Sequence, residues 1–172
     1  MKNAVALVLL TLMFCSSVAQ DSDDQVVGAW ELVTIEARDE DGRWTEARGR
    51  LGEKPIGYIT YSADGRMAVQ LCNLHRTPLD ASGSADTGWI GKINAASDEE
   101  LKQALIGYTA YFGTYDIDAD VQSVTHNRAG HWIPNYVGSS AKRFYKLEGG
   151  LLILTPAENE NRRLIWKRVD NN

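Results

Sequence analysis

The sequence predicts a mainly β protein: an antiparallel sheet of about eight to ten strands, closed as a barrel or folded as a sandwich, with one α-helix over about residues 98–110. Three observations predict it. Short segments rich in β-branched and aromatic residues recur between Gly, Pro, Asn and Asp punctuation, as in "GAWELVTIEAR" and "RMAVQLC". Ala63-Asp64-Gly65 joins "PIGYITYS" to "RMAVQLC" as a tight hairpin connection. Only one stretch opens as a helix does: Ser97-Asp98-Glu99-Glu100 is a capping box, with Ser97 as N-cap and Glu100 reaching back.

Taken in order, strands are expected at Val27 to Arg38, around Trp44 to Arg50, and on both arms of the 63–65 hairpin. Further strands are expected at Gly113 to Asp118, Val121 to Trp132, Ala141 to Leu147, Leu151 to Thr155 and Arg162 to Val169. The helix places Leu101, Leu105, Tyr108 and Phe112 on one face, which should lie against the sheet. Residues 73–96 hold Pro, Gly, Ser and Asp with Trp89-Ile90 as their apolar pair. So long a connection is either a lid anchored by Trp89 or a mobile insertion.

Residues 1–19 have the pattern of a removable secretory leader: Lys2, an apolar run from Ala4 to Phe14, and Ser17-Val18-Ala19, small at the two positions a signal peptidase reads, before acidic residues. The run is too short to span a membrane, and bulky Phe14 before Cys15 argues against lipid attachment there. The organisation expected is a leader (1–19), an acidic lead (20–26), one domain (27–169) and a tail (170–172). Export to the periplasm or the exterior follows. The chain carries 18 Lys and Arg against 23 Asp and Glu, a net charge of −5. That balance, with no basic patch, excludes nucleic acid and anionic lipid as partners. Cys72 is the only cysteine beyond the leader, so no internal disulfide is possible.

The assembled pieces resemble a family. Gly28 and Trp30 in "GAWEL" form the Gly-x-Trp motif of lipocalin-like barrels, and "GYITYSADGRMAVQL" (57–71), "GYTAYFGTYDID" (107–118) and "VTHNRAGHWIPNYVG" (124–138) look like the bacterial lipocalin-like domain family. The resemblance runs from Val27 to Arg168. It implies a calycin-type β-barrel in which Arg168 packs over Trp30. The family pattern has a small or polar residue where this chain has His131, and the 73–96 connection is longer than usual.

Few residues point to chemistry. His126 and His131 are five positions apart on one expected strand, so they should face opposite sides, with His126 inward and His131 at the rim. No metal site and no cofactor are expected. There is no nucleophile elbow and no Cys-His pair. Tyr outnumbers Phe seven to three; buried hydroxyls need partners, so this excess favours a cavity lined with aromatic surface and donors. The ligand contacts expected are Tyr58, Met67, Tyr111, Tyr115, His126, Trp132 and Arg143. The reading is a monomeric or weakly dimeric carrier whose partner is a small, mostly apolar molecule, its polar end held by His126, Arg143 and tyrosines. Two alternatives stand beside it. One is a cofactor-free isomerase, cyclase or hydratase with His126 as general acid or base. The other is an envelope protein with a filled core and a partner-binding surface.

Overall fold

The computed structural model describes residues 25–47, 49–80 and 88–169. The expected leader with Cys15, most of the acidic lead and the tail lie outside them, as does part of the 73–96 connection. Nine strands form one antiparallel sheet: β1 (Gly28–Arg38), β2 (Trp44–Glu46), β3 (Ile56–Tyr61), β4 (Arg66–Cys72), β5 (Tyr108–Asp118), β6 (Ser123–His131), β7 (Ser140–Glu148), β8 (Leu151–Pro156) and β9 (Arg162–Arg168). Strand β9 pairs back on β1, from Trp30↔Arg168 to Ala37↔Arg162. Strands β1 and β3 to β9 therefore close an eight-stranded barrel, and β2 is an extra strand on the far half of β1.

Alternation drives the closure. Along β3 and β4, Ile59, Tyr61, Met67, Val69 and Leu71 are buried while Tyr58, Thr60 and Gln70 face water. Closing the sheet leaves the barrel with no free edge apart from the short β2. Two one-residue bulges interrupt the alternation. Val33 is extra in β1, so Leu32 and Ile35 are both buried despite their odd separation. Ala129 is extra in β6, opposite Gly113, where any Cβ would collide with the Asn127 carbonyl.

The barrel has a closed and an open end. The closed end carries the tight turns after β3, β5 and β7. Trp30 lies there, 2% exposed, with its Nε1–H donating to the Val26 carbonyl at 2.9 Å. The Arg168 guanidinium sits 4.2 Å from the Trp30 ring centre and donates to the carbonyls of Val27 and Gln25. Gly28 has φ 138°, and a Cβ there would strike Arg168, so glycine is required by both backbone and space. At the open end, the upper half of β1 pairs with β2 rather than β3. The segment after β2 fills the space: Leu51 is buried, and Arg50 donates to the carbonyls of Ile106 and Tyr108 and to Thr109 Oγ1.

Helical structure differs from expectation. Two helices lie wholly within the described residues, α1 (Trp89–Ala95) and α2 (Asp98–Ile106). The capping box forms: Ser97 Oγ accepts from the Glu100 N–H and the Glu100 carboxylate accepts from the Ser97 N–H. Yet α2 stops at Gly107, and Tyr108 and Phe112 belong to β5. The ladder to β4, from Arg66↔Thr114 to Cys72↔Tyr108, outcompetes a helical continuation through Thr109, Tyr111 and Phe112, which favour strand. No residue of α2 is fully buried: Leu101, Ala104 and Ile106 are half-buried and Leu105 is exposed. Trp89 is 73% exposed. No helix among the described residues is long and apolar enough to cross a membrane.

Candidate functional site

The inner face of the barrel leaves a cavity of about 550 Å³ toward the open end. Its deep wall is apolar, from Ile59, Val69, Leu154, Leu164 and Trp166, and its upper wall carries Arg50, Tyr111, Arg143, Glu158 and Arg162. A second recess of about 550 Å³ at the mouth shares Arg50, Tyr111, Arg143 and Glu158 with it and adds Arg128, His131, Trp132 and Tyr136.

His126 stands between core and cavity, on the second inward position of β6, after Val124. Its Nε2 lies 2.7 Å from the Tyr61 hydroxyl and its Nδ1 2.9 Å from the Tyr111 hydroxyl. Burial, with Arg143 and Arg128 nearby, lowers its pKa from 6.5 to about 3, so the ring is neutral. Neutral imidazole has one N–H and one acceptor nitrogen. Tyr61 is 0% exposed, and its hydroxyl meets no other partner among the described residues. If Nε2 carried the proton, the Tyr61 O–H would be buried without an acceptor. The assignment that gives both the Tyr61 O–H and the imidazole N–H an acceptor has Tyr61 donating to Nε2 and Nδ1–H donating to Tyr111 Oη. The Tyr111 proton is then free to point into the cavity.

The arginines around this point differ in how their donors are used. Arg143, its side chain 13% exposed, gives Nη1 to both Glu158 oxygens, at 2.9 and 2.8 Å. Arg50 is bonded as described above and lies 5.2 Å from the Trp132 ring centre. Arg162 forms no side-chain hydrogen bond or ion pair among the described residues. Burial lowers its pKa; burial and then the charge of Arg162 lower that of Arg50. The Trp166 indole N–H, on a residue 1% exposed, also lacks an acceptor there.

The expected contacts separate into groups. Tyr111, His126 and Arg143 converge on the cavity, and Trp132 lies at its mouth. Tyr58 is 53% exposed on the outer face of β3; Thr60 shares its parity, while buried Ile59 and Tyr61 share the other. Met67 is buried in the core and not on the cavity wall. Tyr115 packs edge-on to Tyr61, its hydroxyl donating to the Ser62 carbonyl at 2.9 Å.

His131 corrects the parity reading. The extra residue Ala129 makes the five-residue step even across the ladder, pairing Tyr115 with His126 and Tyr111 with His131. Both histidines therefore share the inner side. The His131 ring stacks on Tyr111 at 5.6 Å, and its Nδ1 accepts from the Ile133 N–H at 2.9 Å. No group of three or more metal-binding side chains occurs among the described residues. Tyr61 was legible from hairpin parity, opposite Met67. Arg50, Glu158 and Arg162 sit at loops or strand ends and carry no local signal.

A family model described as a lipocalin-like domain matches residues 27–169. Two solved structures are similar to the chain. One is a lipocalin-like protein from Bacteroides uniformis ATCC 8492, 13% identical, with 84% of this chain and 99% of that one covered at a TM-score of 0.41. The other is described as a REP1-NXSQ fatty acid transporter, 13% identical, with 87% and 99% covered at a TM-score of 0.37. No curated protein matches.

Proposed function

The chain belongs to the lipocalin-like domain family, and from that premise we propose that it is an exported carrier that reversibly binds a small, largely apolar molecule inside the barrel. The observation that carries this is the cavity itself. At about 550 Å³ it exceeds the roughly 300 Å³ at which small-molecule pockets begin. Its apolar depth and polar mouth suit a ligand that enters apolar end first. Export rests on the leader-like pattern of residues 1–19. The acid–base alternative draws no support from His126: both ring nitrogens are engaged by tyrosines, and the low pKa makes it a poor base.

Native mass spectrometry of protein recovered from the outside of the host's cytoplasmic membrane tests both parts. A mature N-terminus near residue 20 and a dissociable small-molecule adduct are expected. An uncleaved chain removes export, and protein that neither carries nor takes up any apolar small molecule removes the carrier reading.

A further inference from the structure

The donors and acceptors of the cavity do not balance. Arg50, Arg128, Arg143 and Arg162 line the cavity and its mouth, against Glu158 as the one carboxylate on their walls. Glu158 is engaged with Arg143. Three donors on the cavity wall have no acceptor among the described residues: the Arg162 guanidinium, the Trp166 N–H and, by the proton assignment above, the Tyr111 hydroxyl. A half-buried guanidinium such as that of Arg162 is unfavourable unless something accepts from it. An oxyanion would relieve the Arg50–Arg162 repulsion and accept from these donors.

We propose that the upper half of the cavity is an anion subsite, which takes the carboxylate or an equivalent oxyanion of an amphipathic molecule between the Arg162 guanidinium and the Tyr111 hydroxyl. The proposal rests on the carrier reading. Arg162 supplies a planar fork for two oxygens. Tyr111 supplies an O–H whose direction is set from behind. His126 is a positioning residue: it touches no ligand atom, and its Nδ1–H occupies a Tyr111 lone pair so that the phenolic proton turns outward. Tyr61 holds the tautomer that makes this possible.

The test compares two probes with the same apolar body, anionic anilinonaphthalene sulfonate and neutral phenylnaphthylamine, by fluorescence titration of the mature protein. Both should bind. Arg162→Gln should weaken the anionic probe about tenfold and leave the neutral one within about twofold, the loss expected for a charge-assisted hydrogen bond. Arg162→Lys should recover part of the loss. Tyr61→Phe should lower the anionic-to-neutral affinity ratio about threefold through the freed tautomer, a change that mere loosening of the core would not produce. Lys146→Gln, an exposed closed-end charge paired with Glu148, controls for net charge and should alter neither probe. Equal effects of Arg162→Gln on both probes, or none on either, would overturn the subsite and leave the carrier reading standing. Failure of both probes to bind would remove the two together.

Discussion

At the closed end, Arg168 lies over Trp30 and gives its guanidinium to two backbone carbonyls. At the open end, Arg50 lies over Trp132 in a similar pairing, yet its neighbour Arg162 has no acceptor among the described residues. The residue types match, and the accounting of hydrogen bonds does not. Where the donors meet backbone carbonyls, the arrangement ties the start of β1 to the end of β9. Where donors remain, the barrel wall carries polar groups that no described residue satisfies. The Tyr61–His126–Tyr111 series spans the two regimes, saturated at its buried end and open at its cavity end.

The sharpest way to break this contrast is to attack the saturated end. Trp30→Ala should lose about 3–5 kcal/mol in urea unfolding, the cost of a large core truncation. A loss below 1 kcal/mol would show that the closed end is not the anchor.

Next comes pH. His126 has a folded pKa near 3 against 6.5 unfolded, so the unfolded state binds more protons between these values. Stability is greatest above about pH 6.5 and falls as pH drops toward 3. Between pH 7 and pH 4.5 roughly 2 kcal/mol should be lost, and His126→Gln should flatten that slope.

Tyr61→Phe should cost about 1–2 kcal/mol by leaving Nε2 buried without a donor. The smallest effect belongs to the open end. Arg162→Gln should change the unfolding free energy by less than about 0.5 kcal/mol; a large loss would mean that Arg162 is structural.

The same division governs what the sequence made readable. The hairpin at 63–65, the capping box and the Gly28-x-Trp30 strand depend on neighbouring residues, and they appear where local chemistry puts them. The helix was over-extended because Leu101, Leu105, Tyr108 and Phe112 mimic a helical stripe, while the ladder that claims Tyr108 and Phe112 comes from β4. Tyr58 and Tyr61 lie on opposite faces of β3, which the apolar Ile59 and polar Thr60 between them distinguish. Arg50 and Arg162 meet only because β9 returns to β1, a long-range event that no local window contains.

The bulge at Ala129 acts as a phase shifter in the chain. Deeper in β6, inward positions keep one parity, and beyond Ala129 they keep the other. The mouth can therefore be re-coded by a single insertion or deletion without touching the wall below it. Removing Ala129 would rotate His131 outward and bring its sequence neighbours toward the ligand side, while Val124 and His126 stayed in place. The Val33 bulge gives β1 the same freedom on the other side of the barrel. A barrel with two such joints can change the lining of its mouth by indels as readily as by point substitution, on a floor that stays constant.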